Sequence, residues 1–156
     1  MFAEKGGCYE KILKVSIVVA LLCGVMSMSS IAGTVSFSRY NLGNTQKNWN
    51  STGSFNTKAE AGQPWFIRIT GISFGGADIS ASYGMAHAPG KYTGGSPTYF
   101  DEGNTYWSKT TTSGYAYMGW KVGYGTANRD YLMLVRLDSA ITGTKSAYTL
   151  GLWNSW

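Results

Sequence analysis

The sequence predicts an all-β fold, a two-layer antiparallel sandwich of about eight short strands, with a small β-barrel as the alternative. The first observation is that strand-like runs recur at short intervals and that Gly, Asn, Pro or Asp closes each of them. The second is composition: 21 of the 156 residues are glycine and 15% are aromatic, as in pleated sheets joined by tight turns. The third is that no segment after residue 33 repeats apolar residues with a helical period, so we expect little helix there.

Residues 1–32 carry the three parts of a secretory signal peptide. A basic flank at 11–14 precedes about 14 mostly apolar residues at 15–28, and small residues follow up to Ala32. We therefore predict an apolar signal helix, cleavage between Ala32 and Gly33, and a secreted protein. An uncleaved membrane anchor is the alternative, although the apolar stretch falls short of the roughly 20 residues that cross a bilayer.

Residues 33–156 are predicted to form a single domain, which is long enough to enclose one hydrophobic core. Both cysteines, Cys8 and Cys23, precede this region, so it contains no disulfide and no thiolate metal ligand. The net charge of +5 comes from scattered basic residues and not from a patch, which argues against nucleic acid as a partner. Export argues against chemistry that depends on ATP, NAD or thiols, so we expect no cofactor.

Alternation of apolar and polar residues defines the individual strands. The clearest strand is 65–73, where Trp65, Ile67 and Ile69 share one face. Residues 131–135 are apolar on both faces, which predicts a central strand within 129–138. The other predicted strands are 34–40, 53–58, 78–86, 105–109, 113–122 and 146–153. We expect residues 88–97 to form the longest loop, and a turn at 111–114 to join its two flanking strands as a hairpin.

The order of several aromatic and glycine positions is similar to that of a family of short exported Gram-positive proteins, known as a domain of unknown function. The positions are Lys58, Pro64-Trp65-x-Ile-x-Ile, Tyr115-x-Tyr117 and Gly151-Leu-Trp153. This resemblance covers most of residues 34–153 and implies secretion and a β-domain, with no catalytic residue. The chain resembles, more weakly, the cysteine-free exported bacteriocins of the lactococcin 972 type.

His87 is the only histidine, and it follows the predicted strand 78–86 at the start of the expected loop. A histidine base needs a nucleophile and an orienting carboxylate, and no serine here lies in a Gly-x-Ser-x-Gly elbow. A zinc site needs three or four ligands, which one histidine without cysteines does not supply. We therefore predict no catalytic or metal role, and a surface or hydrogen-bonded loop position for His87.

Asp101 and Glu102 are the only adjacent pair of carboxylates. Glycoside hydrolysis uses two carboxylates that face each other across about 5–10 Å, whereas neighbours in an extended chain point to opposite sides. We therefore expect a solvated turn at 101–104. A pair of Asp101 with Asp78 or Asp138 stays open, because it depends on how the chain folds.

Aromatic side chains are the remaining candidates for ligand contact, since exposed rings stack on sugars or anchor protein interfaces. The candidate residues are Trp107, Trp120, Tyr92, Tyr99 and Tyr106. The competing interpretation is that these rings fill the core of a domain that has no disulfides. The sequence alone leaves both open.

These observations favour a secreted, non-enzymatic protein that acts by surface binding. Its partner would be a cell-wall polymer, another glycan or a protein, with no membrane contact once the leader is removed. A bacteriocin-like or toxin-like antibacterial protein is the first alternative, and a small secreted hydrolase is the second.

Overall fold

The computed structural model describes residues 33–43, 48–76, 83–95, 98–141 and 146–156, and these residues contain strands and no helix. The nine strands are β1 (Val35–Leu42), β2 (Asn50–Lys58), β3 (Trp65–Ser73), β4 (Met85–Tyr92), β5 (Tyr99–Asp101), β6 (Tyr106–Ser108), β7 (Ala116–Met118), β8 (Arg129–Leu137) and β9 (Ala147–Asn154). The predicted all-β class is confirmed.

The strands form two sheets, in which all neighbouring strands are antiparallel. Sheet A has the order β1-β9-β3-β7, and sheet B has the order β2-β8-β4-β5, with β6 also paired to β4. The inner faces of both sheets contribute to one core, while the sheets themselves stay separate. The predicted sandwich is therefore confirmed, and the alternative of a closed barrel is wrong.

The main core joins the two sheets through large side chains. It consists of Phe37, Trp65, Ile67, Ile69, Tyr131, Met133 and Trp153. Alternation in β3 turns its apolar face toward β8, as the sequence pattern predicted. Each large apolar side chain buried in this way stabilises the fold by about 1.5–3 kcal/mol, and no cysteine of this region adds a covalent link.

Strand β4 corrects the expectation of a loop at 88–97, because Pro89 and Gly90 lie inside a central strand between β8 and β5. The backbone N and O of one strand residue point to the same side. The carbonyl of Pro89 accepts from the N–H groups of Glu102 and Gly103, each at 2.9 Å, where β4 exchanges β6 for β5 as its neighbour. An N–H group at Pro89 would point to this same side of β4, away from β8. The lack of an N–H in proline therefore removes no hydrogen bond from the ladder between β4 and β8.

The expected hairpin between the strands near 105–109 and 113–122 is wrong. Strand β6 pairs with β4 in sheet B, whereas β7 pairs with β3 in sheet A. The segment between them crosses from one layer to the other, and the Thr112 N–H donates to the Ile69 carbonyl on the way. Tyr106 of β6 and Met118 of β7 thereby pack against the same core from opposite sheets.

Some predictions fall outside the described residues. These are the signal peptide at 1–32, including Ala32 of the predicted cleavage site, and most of the predicted strand 78–86. Gly33–Trp156 forms one compact unit. A search of the described residues for a helix of the length and apolarity needed to span a bilayer finds none.

Candidate functional site

A groove of about 480 Å³ lies on the outer face of sheet A. Strands β1 and β9 form its floor, β2 forms one wall, and Thr70 of β3 lies on the other side. Its volume falls within the range of about 300–1,000 Å³ that small-molecule sites occupy.

The floor of the groove follows from the alternation in β1. Phe37 points into the core, so Ser36 and Ser38 point outward. In the β1–β9 ladder Ser36 lies opposite Leu152 and Ser38 lies opposite Leu150. Because residues opposite each other in an antiparallel pair share a face, each hydroxyl lies beside a half-buried leucine. The floor therefore combines apolar surface with hydroxyl groups.

The wall of the groove is the irregular middle of β2, where the register against β8 shifts. Such a bulge bends the strand. Gly53 has a φ of 74° there, in the left-handed region that glycine adopts without strain. The Ser54 hydroxyl donates to the Ser36 carbonyl at 2.7 Å, and the Thr52 hydroxyl donates to the Met133 carbonyl at 3.0 Å. These two bonds fix the wall to both sheets.

Three hydroxyls of β1 face the groove and have no hydrogen-bond partner among the described residues, namely those of Ser36, Ser38 and Tyr40. Tyr40 is 57% exposed, and its ring lies 5.8 Å from that of Tyr148 between ring centroids. The tyrosine is therefore supported from one side and open on the other. It can stack on a ligand while the two serine hydroxyls exchange hydrogen bonds with it.

Among the described residues that line this groove, none is Asp, Glu, His, Lys or Arg. General acid–base catalysis needs a positioned group that gains or loses a proton near the working pH, most often an imidazole or a carboxyl group. The groove is thus suited to holding a hydroxyl-bearing ligand by stacking and hydrogen bonds.

Two of the predicted aromatic residues pack against the core. The ring of Trp120 lies 4.4 Å from that of Tyr131, and its Nε1–H donates to the Gln63 carbonyl at 3.0 Å. Tyr106 lies opposite His87 in the β4–β6 ladder and packs on the main core. These two positions fit the competing interpretation, in which the rings stabilise the fold.

The other three predicted aromatic residues, Trp107, Tyr92 and Tyr99, lie on the outer face of sheet B. Trp107 lies opposite Ala86 on β4, and Tyr92 lies opposite Tyr99 at a ring distance of 5.4 Å. Ala86 and Tyr92 are separated by roughly 20 Å along the strand. The structure therefore brings the two tyrosines together, keeps Trp107 apart from them, and places none of the five predicted residues in the groove. A role for them as ligand contacts stays a prediction.

His87 lies in the middle of β4 and is fully buried, so the expectation of a surface or loop position is wrong. The neighbouring Pro89 and Gly90 suggested a loop, but both belong to the strand. Its Nε2 lies 2.9 Å from the hydroxyl oxygen of Thr149, and its ring lies 5.8 Å from that of Phe37. Burial lowers the pKa of His87 to about 3, which keeps the imidazole neutral. These contacts give His87 a structural place between the sheets.

The carboxylates at 101 and 102 have separate partners. Asp101 forms an ion pair with Lys121 at 2.6 Å. Glu102 is fully buried, and its carboxylate oxygens lie 3.3 Å from Lys91 Nζ and 4.0 Å from Arg129 Nη1. The expectation of a solvated turn is thus wrong for Glu102, whose two basic neighbours compensate its burial.

Pairing of Asp101 with a distant carboxylate does not provide a catalytic pair either. Asp101 lies opposite Gly90 at one end of β4, whereas Asp138 follows the β8 residue that lies opposite Met85 at the other end. This spacing is roughly 16 Å along the strand, well beyond the separation that hydrolysis uses. Asp78 lies outside the described residues. Within the described ranges, no group of three or more His, Cys, Asp or Glu side chains converges on a metal position.

The groove residues Ser36, Ser38 and Tyr40 were not among the sequence candidates. Their alternation in β1 was visible and indicated that they share one face. The sequence does not show which residues lie beside them, since β9 and the β2 wall come from distant parts of the chain. A serine in an alternating strand does not by itself indicate a binding site.

Comparisons of the chain with protein-family models, with curated proteins and with solved structures find no match. The two resemblances drawn from the sequence therefore stay predictions.

Proposed function

We propose that the protein is a secreted, non-enzymatic binding protein that holds a glycan chain, such as a polysaccharide of the cell envelope, in the groove on sheet A. A pyranose ring has an apolar face and a rim of hydroxyl groups. The groove offers both complements, with leucines in its floor and hydroxyls beside them. Tyr40 adds an exposed ring at its side.

The observation that carries this proposal is the set of three β1 hydroxyls that face the groove without a partner among the described residues. The hydroxyls of Thr52 and Ser54, in contrast, donate to backbone carbonyls of the two sheets. One strand thus presents unused donors and acceptors, while another forms a wall that is already fixed. Because the β2 wall is already fixed, few side chains of the groove would have to lose conformational freedom when a ligand binds.

Binding is favoured over hydrolysis because the described residues that line the groove include no pair of titratable side chains. A glycosidase needs a general acid and a second carboxylate on opposite sides of the scissile bond. The described carboxylates of Asp101 and Glu102 are engaged with basic residues outside this groove. The likeness to exported Gram-positive proteins supports secretion, which would bring the groove into contact with envelope polysaccharides.

The test is to measure binding of the purified protein to peptidoglycan and insoluble polysaccharides by co-sedimentation, and to soluble oligosaccharides by calorimetry. We expect saturable binding to at least one of these glycans. The Tyr40→Ala variant should bind about tenfold more weakly or worse, because loss of one stacking contact of about 1.4 kcal/mol corresponds to that factor. Ser38→Ala, which removes one hydroxyl and adds no volume, should also weaken binding.

The matched control is Tyr117→Ala. Tyr117 is 62% exposed and lies in β7, at the opposite edge of sheet A from β1. This variant should bind as the wild type does. Absence of binding to every glycan, or an equal loss in the Tyr117 and Tyr40 variants, would contradict the proposal.

A further inference from the structure

Arg136 lies near the end of β8 and points to the outer face of sheet B, because its neighbours Val135 and Leu137 point into the core. It lies opposite Ala86 of β4, which in turn lies opposite Trp107 of β6. Since residues opposite each other share a face, Trp107 lies on the same outer surface as Arg136. This surface faces away from sheet A and its groove.

Two indole rings lie against the Arg136 guanidinium. Its Cζ atom lies 4.7 Å from the ring centroid of Trp49 and 5.6 Å from that of Trp107. The row continues to Tyr83, whose ring lies 5.3 Å from Trp107 and which is 71% exposed. Contacts between a cation and the faces of indole rings hold the guanidinium in one place and orientation.

The guanidinium of Arg136 has neither a hydrogen-bond acceptor nor an ion-pair partner among the described residues, and its Nε atom is buried. Asp138, two residues further along, is already engaged. Its carboxylate accepts from the backbone N–H groups of Tyr83 at 2.5 Å and of Ala140 at 3.0 Å. A guanidinium has five N–H donors, and stacking on indoles satisfies none of them.

Other basic groups of the described chain differ from Arg136. Lys121 pairs with Asp101, and Lys91 and Arg129 lie against Glu102. Arg39 and Arg68 on sheet A also lack an acceptor among the described residues, but no described ring stacks on either of them. Arg136 thus combines a fixed orientation with unused donors.

We propose that Arg136, held against the rings of Trp49 and Trp107, is a binding site for an oxyanion, a carboxylate or phosphate group carried by a partner. With Nε buried, the two Nη groups present parallel donors that match the two oxygens of such a group. The low side-chain entropy of a stacked guanidinium reduces the cost of binding. This site shares no residue with the groove, so it stands independently of the proposed glycan binding.

The first experiment records the indole N–H signals of the six tryptophans by NMR in the ¹⁵N-labelled full chain. Sodium phosphate and sodium acetate are added separately, and sodium chloride keeps the ionic strength constant. We expect the signals of Trp49 and Trp107 to shift saturably with at least one of the two anions. The other indole signals should stay in place. Poly(glycerol phosphate) and polygalacturonate then distinguish a phosphate-bearing from a carboxylate-bearing polymer, with neutral dextran as the reference.

The variants distinguish the contribution of the planar guanidinium geometry to anion binding from the contribution of its positive charge. Arg136→Gln should abolish the saturable shift. Arg136→Lys keeps the positive charge but loses the paired donors, and should weaken anion binding at least tenfold. It also keeps an alkyl stem, so it remains informative if the glutamine variant fails to fold. Arg68→Gln is the control and should leave the titration unchanged.

The proposal is overturned if no indole signal moves with phosphate or acetate. It is also overturned if Arg136→Lys binds as tightly as the wild type, or if Arg68→Gln weakens binding to the same degree. Tightened binding to either anionic polymer relative to its free anion supports the proposal and identifies the source of the oxyanion. Tyr40→Ala should leave this titration unchanged, so the failure of one proposal is distinguishable from the failure of the other.

Discussion

At the scale of single residues, His87 makes stability depend on pH. Its pKa is lowered by burial to about 3 in the folded protein, against about 6.5 in an unfolded chain. The unfolded state therefore binds more protons between these values, and the folded state loses stability as the pH falls from 6.5 toward 3. Above pH 6.5 His87 is neutral in both the folded and the unfolded state, so its titration costs the folded state no stability.

We expect His87→Gln to flatten this dependence, because glutamine keeps a polar contact with Thr149 but does not titrate. The measurement is the free energy of unfolding by urea at several pH values from 4 to 8 in both proteins. Carboxylates titrate in both proteins, and no other histidine is present, so the difference between the curves isolates His87. Parallel curves would show that His87 does not contribute.

Lys58 is a second residue whose substitution should strongly lower the free energy of unfolding. It is fully buried, and its ammonium group donates to the carbonyls of Gln63, Ser155 and Trp156 at 2.8–2.9 Å. Lys58→Met should lower the free energy of unfolding by at least about 2 kcal/mol, because it leaves three acceptors without this donor. Lys109→Met, at an exposed position, should stay within about 0.5 kcal/mol of the wild type. Equal effects in urea unfolding would contradict this role.

At the scale of elements, β9 depends on a glycine because it lies between two strands. A Cβ added at Gly151 would collide with the Arg68 carbonyl of β3 and lie 2.9 Å from the Phe37 ring of β1. Gly151→Ala should therefore destabilise the protein by about 1–3 kcal/mol or more. The matched control is Gly114→Ala, since no atom lies within 4 Å of a Cβ there. Thermal unfolding of both variants is the measurement, and a stable Gly151 variant would contradict the close packing of β9.

Individual strands were predictable where their side chains carried the signal. The strand 65–73 matches β3, in which the alternating residues Trp65, Ile67 and Ile69 point into the core. The run 131–135 indicated a central strand, and β8 lies between β2 and β4. Strand β4 was missed because Pro89 and Gly90 are typical of turns. They are tolerated there only because β4 changes partner at Pro89, which no local pattern reveals.

Strand pairing and the groove were beyond the reach of local patterns. The pairing of β6 and β7 with different sheets depends on the core that both contact. Ser36 and Ser38 become part of a site only when β9 supplies Leu150 and Leu152 beside them. Such neighbours are far apart in sequence, and alternation shows which face a residue takes without showing what lies next to it.

At the scale of the whole molecule, stability should be independent of redox conditions. Both cysteines precede Gly33, so no disulfide can form within the sandwich. The midpoint of thermal unfolding should therefore be the same with and without dithiothreitol, within about 1 °C. This contrasts with small exported domains that unfold when their disulfides are reduced. A decrease of several degrees in reductant would show that the cysteines contribute to stability after all.

The position of β9 has a consequence for the order of events during synthesis. Val35 of β1 pairs with Trp153, and Ser73 of β3 pairs with Tyr148, so the strand between them is made last. A ribosome releases β1 and β3 well before residue 147, and until then β1 has no neighbour in sheet A and β3 has only β7. The central pairing of sheet A, in which β9 lies between β1 and β3, can accordingly form only after β9 has been synthesised.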